Sequence, residues 1–438
     1  MKKAFLLIGM GLVISIQQPQ AQILKRLGEN AKRKLEQKAN EKIDKKIDDV
    51  VDGDKSGSSS GKSKKEKNAD AASSENNEST GKTSGKSAAA TLEVYSKFDF
   101  VSGEKVVAYE DFSQDNVGDF PDKWNTNSNG EIVNIGGKTG KWFNPGKDGV
   151  YLPEFITALP ENFTFEFDLA CNSDFSFYST FFNVGFAQLK NPGKDFTGWK
   201  QYHNEGRTGV QIGFHPKGAG GSQGMTNYHV FSNGSEVMKN ESDQGQFHAG
   251  NRLYAHISIW RQKQRLRVYI NENKVWDVPR AFESGNKYNS VIFQTASFSS
   301  DNDKYYIANL RLAVGAPDTR NKLITEGKFV TSGILFDFQS AVIRPESYGI
   351  IKEIAGVLND NADVKVKIIG HTSNDGDAGA NLELSKKRAA AVKDILVKNF
   401  NISDSRLTTD GKGGSEPTDK GTTAEAKANN RRVEFIKQ

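Results

Sequence analysis

The hydrophobic pattern of this 438-residue chain changes its period once, near residue 320. Between residues 93 and 316, apolar and polar side chains alternate in short runs, and residues 163–169 carry phenylalanine or leucine at every second position. Side chains of a strand point in turn to its two faces, so this spacing is typical of strands that bury one face. Many such runs, separated by turn-forming residues, predict that residues 93–316 form an antiparallel β-sandwich of the jelly-roll kind.

Strand-like and helix-like patterns alternate in the last part of the chain, which we assign to a second domain at residues 322–438. The predicted elements are a strand at 333–338, a helix that begins at Pro345, a strand at 364–369, a helix at 384–400 and a strand at 432–436. This βαβαβ order predicts an α/β sandwich in which the helices pack on a sheet.

The beginning of the chain predicts an exported protein. Residues 1–21 have the pattern of a signal peptide, because two lysines precede an apolar stretch that is too short to span a bilayer. We therefore expect a cell-envelope location and no nucleic-acid partner. Residues 22–51 predict a charged amphipathic helix, with an apolar residue at every fourth position. Residues 52–92 are nearly all small, polar or charged, which predicts a disordered linker.

Cys171 is the only cysteine, so the chain cannot form an internal disulfide. It follows the alternating run at residues 163–169, which predicts a buried thiol at the end of a strand. No spacing of cysteine and histidine suggests zinc or haem, and Asp301 and Asp303 fit a turn better than a calcium loop. We therefore predict neither a metal nor a cofactor.

A run of small and polar residues at 370–389 joins the end of a predicted strand to a predicted helix. It contains Gly-His-Thr at 370–372, then Asn381 and Arg388, and the sequence Asn-Arg-Arg-Val follows at 430–433. The order and spacing of these motifs resemble the C-terminal domain of the OmpA family. The resemblance implies that residues 322–438 bind peptidoglycan non-covalently, in the periplasm or at the outer membrane of a Gram-negative bacterium.

The resemblance also implies a ligand with two charges. Stem peptides of peptidoglycan carry diaminopimelate, which presents a carboxylate and an ammonium group. The planar guanidinium of Arg388 suits the carboxylate, and we expect it near the start of a helix, where backbone N–H groups add positive potential. The family pattern has an aspartate for the ammonium group, but this chain has the uncharged Ser373 there. Asp375 and Asp377 follow in the same loop, either as replacements for the missing carboxylate or as turn caps.

Two adjacent arginines complete the candidate site. Arg431 and Arg432 adjoin on the last predicted strand, so they point to opposite faces and at most one can line the site. We expect the other to pair with an acidic residue or to face solvent. The candidate residues for binding diaminopimelate are Thr372, Ser373, Asp375, Asn381, Arg388, Arg431 and Arg432.

The predicted sandwich is similar to concanavalin-like and laminin-G-like jelly rolls, through residues 163–168 and 269–271. That similarity implies a domain that binds a glycan or protein ligand, or one that hydrolyses glycans. Some jelly-roll glycosidases carry three carboxylates on one strand; Glu166 and Asp168 fit two of the positions, but Cys171 occupies the third. We interpret Glu166 and Asp168 as the polar face of a strand and predict a non-enzymatic protein. The alternatives are a glycan hydrolase or lyase, and an assembly module that has lost wall binding.

Overall fold

The structure is a computed structural model, and it describes residues 98–200, 203–315 and 318–438. The predicted signal peptide (1–21), amphipathic helix (22–51) and linker (52–92) lie outside these ranges. Among the helices that the structure describes, none is both long and apolar enough to cross a membrane.

Two antiparallel sheets are built from the strands between residues 105 and 314. Their strands are β1 (Lys105–Glu110), β2 (Trp124–Thr126), β3 (Gly130–Asn134), β4 (Lys141–Pro145), β5 (Val150–Pro153), β6 (Asn162–Cys171), β7 (Phe182–Ala187), β8 (Gly209–His215), β9 (Gly224–Ser232), β10 (Ser235–Gln244), β11 (Tyr254–Gln262), β12 (Arg265–Ile270), β13 (Asn273–Val278), β14 (Ser290–Gln294) and β15 (Tyr305–Val314). The first sheet has the order β13-β12-β11-β6-β15-β4-β3, and β1 also pairs with β15. The second has the order β10-β9-β8-β7-β14-β5-β2. A short helix, α1 (Pro192–Asp195), lies between β7 and β8.

The core between the two sheets is rich in aromatic side chains. Phe163, Phe165 and Phe167 on β6 are at most 1% exposed, as expected for the apolar face of this strand, but the polar face of β6 is buried as well. Phe167 meets Phe293 of the opposite sheet edge-on, with ring centroids 5.5 Å apart. Replacing a buried phenylalanine of this kind by alanine typically costs about 3–5 kcal/mol, so this core can stabilise the domain without a disulfide.

The second domain is a four-stranded sheet with helices packed on it. Its elements are β16 (Lys328–Thr331), α2 (Tyr348–Asp360), β17 (Val366–His371), α3 (Ala378–Phe400), β18 (Leu407–Gly413), α4 (Ala424–Asn430) and β19 (Val433–Lys437). The strand order is β16-β19-β17-β18; β17 and β18 are parallel, and the other pairs are antiparallel.

The observed elements correct the predicted ones in three places. The strand expected at 333–338 is absent: the first strand is β16, and Phe336 only forms an isolated bridge with Ile343. The structure adds β18 and α4, which the apolar pattern did not suggest because β18 is rich in threonine and glycine and α4 is short. Helix α3 begins six residues earlier than expected, because the Asp377 carboxylate accepts a hydrogen bond from the Ala380 amide (2.7 Å) and caps its first turn.

The two domains are packed directly against each other. A Cβ atom added at Gly349, in the first turn of α2, would lie 1.7 Å from the Phe100 carbonyl oxygen. Val101 belongs to the hydrophobic core of the second domain, and Trp260 of β11 also packs against that core. The outer face of the first sheet is therefore covered by the second domain where these contacts occur.

Candidate functional site

The candidate loop, residues 372–377, connects the end of β17 to the first turn of α3. The Thr372 amide donates to the Gly413 carbonyl at the end of the parallel strand β18 (2.9 Å), so the loop starts where two parallel strands end. Asp377 then caps α3. Loops at the carboxyl ends of parallel strands, beside a helix N-terminus, are common ligand sites in α/β folds.

Glycines let α3 lie close to the sheet beneath this loop. A Cβ atom at Gly370 would lie 2.2 Å from the Ser385 carbonyl oxygen, and one at Gly411 would lie 2.4 Å from the Lys386 amide nitrogen. Any side chain at these positions would push the helix outward. Gly370 of the Gly-His-Thr motif and Gly411 of β18 therefore fix the distance of α3 from β17 and β18.

Arg388 lies in the middle of α3, not near its start as predicted. It is the eleventh residue of a helix that begins at Ala378, which puts it about 15 Å along the axis from the first turn. Its Nε atom donates to the Ser340 carbonyl (2.9 Å), its Nη2 atom lies 3.5 Å from the Asp337 carbonyl, and its guanidinium stands 4.8 Å from the centroid of Phe336. These contacts hold the side chain against the segment that precedes α2.

The charge of Arg388 has no carboxylate partner within the described ranges. Burial lowers its pKa to about 10, and the nearby Arg431 contributes to the shift. The guanidinium therefore stays charged at neutral pH and is held only by carbonyl groups and a ring. Such a half-buried cation is suited to an anionic group that approaches from outside.

Arg431 directly follows the last residue of α4, and it is a cation that lies near Arg388. Its guanidinium lies 5.4 Å from the ring centroid of Tyr109, which belongs to β1 of the sandwich. Among the described residues, no carboxylate forms an ion pair with Arg431. The sequence did not indicate Tyr109, because nothing in the local sequence relates β1 to Arg431, which lies more than 300 residues away.

Asp375 is the acidic member of the loop. Its carboxylate lies 2.9 Å from Lys427 Nζ of α4, and this contact, helped by the Ser373 hydroxyl, holds the pKa of Asp375 below its usual value. Asn381 lies within the first turn of α3, and its side-chain amide donates to the Asp375 carbonyl (2.7 Å). The structure thus brings Ser373 and Asp375 of the loop together with Asn381 of α3, and Asp377 is the residue that caps the helix.

Thr372 and Arg432 are buried, in different surroundings. The Thr372 hydroxyl oxygen has no hydrogen-bond partner in the part of the chain that the structure describes. Arg432 donates to the Glu434 carboxylate through Nε (2.9 Å) and Nη2 (2.7 Å). His371 lies beside the same carboxylate (3.4 Å), and burial, together with Arg432, lowers its pKa to about 4. Arg432 is therefore committed to an internal ion pair, while Arg431 points to the other side.

Glu166 and Asp168, the polar face of β6, are buried rather than solvated. Glu166 accepts hydrogen bonds from Arg311 (2.7 Å) and Ser102 (2.6 Å), and Asp168 pairs with His256 (2.7 Å). Burial alone would raise the pKa of Glu166, but Arg311 and its hydrogen-bond partners lower it to about 2. Both carboxylates are thus occupied by partners on the sandwich.

The second domain closes over this charged cluster. The Glu346 carboxylate, from the turn before α2, lies 3.8 Å from His256, and Arg311 donates through Nη2 to the Ser332 hydroxyl (2.9 Å). Although burial by itself would lower the pKa of His256, Glu346, Asp168 and Glu166 hold it well above its usual value. The cluster is an internal joint between the domains, and within the described ranges no group of His, Cys, Asp or Glu is arranged to hold a metal.

Comparison with known proteins supports the assignment of the second domain. Outer membrane porin F of Pseudomonas fluorescens is 39% identical over 101 residues, which are 23% of this chain and 31% of the porin. The peptidoglycan-binding protein ArfA of Mycobacterium tuberculosis is 37% identical over 108 residues, which are 24% of this chain and 33% of that protein. The chain thus spans about a third of the length of these relatives.

The chain is also similar to a solved structure. The peptidoglycan-associated lipoprotein from Burkholderia pseudomallei is 24% identical, and the match covers 28% of this chain and 98% of the lipoprotein, with a TM-score of 0.24. The sequence model of the OmpA family matches residues 335–431, which contain the loop, α3, α4, Arg388 and Arg431. The chain therefore carries an OmpA family domain at residues 335–431.

Proposed function

We propose that this protein is a non-enzymatic cell-envelope protein that binds peptidoglycan through the loop between β17 and α3. In this proposal Arg388 and Arg431 receive a carboxylate of the diaminopimelate residue in a stem peptide. The protein is exported through the signal peptide at residues 1–21 and acts in the periplasm or in association with the outer membrane. Nucleic acid is not a partner.

The observation that carries the proposal is the half-buried charge of Arg388 without a carboxylate partner among the described residues. A buried cation is costly unless it is paired, so a site that leaves it to carbonyl groups is suited to an external anion. The relatives support the same ligand, because one of them is named as a peptidoglycan-binding protein. This domain also contains the motifs that resemble the OmpA family.

The ammonium end of diaminopimelate would meet Asp375. This carboxylate is exposed and pairs with Lys427, so a ligand ammonium would compete with or replace that lysine. The Ser373 hydroxyl helps to hold the pKa of this carboxylate below its usual value, so Asp375 stays charged at neutral pH. The Thr372 hydroxyl, next to Ser373, is buried and has no partner in the described structure, so we assign it no direct contact with the ligand. Arg432 is not part of the proposed site, because its guanidinium is occupied by Glu434.

In the same proposal the sandwich is a concanavalin-like jelly roll that presents a glycan-binding or protein-binding surface. The hydrolase and lyase alternatives are not favoured, because Glu166 and Asp168 are buried under the second domain and Cys171 is buried with a raised pKa. A general acid or nucleophile must reach its substrate, and these groups are covered.

The direct test is a pull-down of the full chain by purified peptidoglycan sacculi. We expect the wild-type chain to bind, and Arg388→Ala to bind about tenfold to a hundredfold more weakly, as is typical when one charged partner of a hydrogen-bonded pair is lost. Lys387→Ala is the matched control, since Lys387 is an exposed cation at the next position on the same helix. Equal retention of the Arg388→Ala and wild-type chains would reject Arg388 as the anchor.

The ligand chemistry can be tested with two kinds of wall. Stem peptides that contain lysine lack the second carboxylate of diaminopimelate but keep the ammonium group. We expect strong binding to walls with diaminopimelate and weak binding to walls with lysine. Equal binding to both would contradict the assigned role of the arginines, and no binding to either would favour the assembly-module alternative.

A further inference from the structure

We propose that the β-sandwich is part of the wall-binding site, and that Tyr109 on β1 positions Arg431. The inference rests on the proposed function, because it assigns a further residue to the same site. It goes beyond the OmpA family domain, since residues 335–431 do not include Tyr109.

Helix α4 is the element that connects the sandwich to the loop. Lys427 on this helix pairs with Asp375 of the loop (2.9 Å), and Arg431 follows its last residue. The position and tilt of α4 therefore set two of the charged groups at the site. Whatever fixes α4 also fixes the geometry that the ligand would meet.

Strand β1 fixes α4 through three hydrogen bonds. The Asn429 side chain accepts from the Val106 amide (3.0 Å) and donates to the Val106 carbonyl (2.9 Å), and the Glu425 carboxylate accepts from the Tyr109 amide (3.3 Å). On its other side β1 pairs with β15, and its register shifts between Val106 and Ala108. The sandwich thus uses one side of β1 for its own sheet and the other side for α4.

The Tyr109 ring completes this contact beneath Arg431. The guanidinium lies 5.4 Å from the ring centroid, within the range of a cation–π interaction. Arg431 is close enough to Arg388 to lower its pKa, so the two like charges repel each other. The negative face of the ring offsets part of this repulsion, and it restricts a long side chain that would otherwise lose more conformational entropy on binding.

This arrangement assigns a positioning role to Tyr109. The ring does not meet the ligand in our proposal; it holds Arg431 beside Arg388 so that both can face one carboxylate. A ring without a hydroxyl should serve equally well, whereas an aliphatic side chain should not. The dependence on the aromatic face separates this role from simple packing.

The experiment measures the affinity of full-chain variants for diaminopimelate by calorimetry. A pull-down by sacculi provides a second measurement. We expect Tyr109→Leu to weaken binding about threefold to tenfold, and Tyr109→Phe to bind as the wild type does. Tyr306→Leu is the matched control, because Tyr306 lies on the same sheet in a separate apolar cluster. If Tyr109→Leu does not fold, Tyr109→Met replaces it, since methionine also lacks the aromatic face.

A double-mutant cycle tests whether Tyr109 acts through Arg431. In the Arg431→Ala background, Tyr109→Leu should cause no further loss of affinity, because the ring has nothing left to position. The inference would be overturned if the two substitutions caused independent, additive losses of affinity. It would also be overturned if Tyr109→Leu kept the wild-type affinity while Arg431→Ala lowered it. If instead both Arg388→Ala and Arg431→Ala bind as the wild type does, the proposed function itself fails, so the two failures are distinguishable.

Discussion

The buried ion pair between Arg311 and Glu166 offers a quantitative test of the joint between the domains. The two side chains are 5% and 2% exposed, and their charged atoms lie 2.7 Å apart. Arg311→Met would leave Glu166 as a buried carboxylate without its main cation. Breaking a buried pair in this way typically costs about 3–5 kcal/mol. We therefore expect the free energy of unfolding of the full chain to fall by about that amount.

The pKa of Glu166 gives a second route to the magnitude. A fall from 4.5 to about 2 in the folded protein corresponds to about 3 kcal/mol of stability. Because the folded pKa is depressed, this contribution is complete above about pH 4.5 and is lost as the pH falls through about 2. We expect Arg311→Met to remove most of this part of the acid dependence.

Urea denaturation followed by tryptophan fluorescence measures both effects, since Trp260 packs between the domains. Arg320→Met is the control: the Arg320–Asp360 pair is more than 60% exposed on each side, and its loss should cost less than about 1 kcal/mol. The double variant Arg311→Met, Glu166→Leu should recover most of the loss, because no unpaired charge is left. The reasoning would be refuted if Arg311→Met were as stable as Arg320→Met. It would also be refuted if the double variant were no more stable than Arg311→Met alone.

Three further measurements test local features. Asp377→Ala removes the cap of α3 and should lower the free energy of unfolding by about 0.5–2 kcal/mol in urea denaturation. Gly370→Ala should destabilise the full chain and weaken sacculi binding together, because the added Cβ would lie 2.2 Å from the Ser385 carbonyl and must displace α3. Cys171, buried and with a pKa raised by that burial, should react with a disulfide reagent only once denaturant is added; fast labelling of the native chain would contradict the structure.

The periodicity of apolar residues predicted those parts of the fold that depend on residues close together in the sequence. The alternation along β6 gave the buried face of the sandwich, since Phe165 and Phe167 lie in the core. The same alternation placed Glu166 and Asp168 on the polar face of the strand, but it did not reveal that this face is buried, because the covering surface comes from residues that are far away in sequence. A pattern of period two distinguishes two faces, but it does not reveal what lies against each of them.

The candidate site was predicted as a set of residues, and only partly as a geometry. The motif indicated the loop and Arg388. However, Asp377 caps α3 and the helix begins earlier than predicted, so Arg388 lies farther from the helix start than expected. Arg432 and Glu434 are two residues apart on an extended segment, so their side chains share a face, and that spacing could have revealed their pairing. Tyr109 could not be found in this way, because only the packing of β1 against α4 brings it to the site.

The attachment of α4 to β1 has a mechanical consequence. A pull on Arg431, which directly follows α4, passes through α4 and Asn429 to Val106, and so into a strand that belongs to the eight-stranded sheet. Every part of this route is folded, so no loose segment has to extend before the force reaches the sheet. If the second domain binds the cell wall as proposed, tension on the wall would therefore act directly on the sandwich.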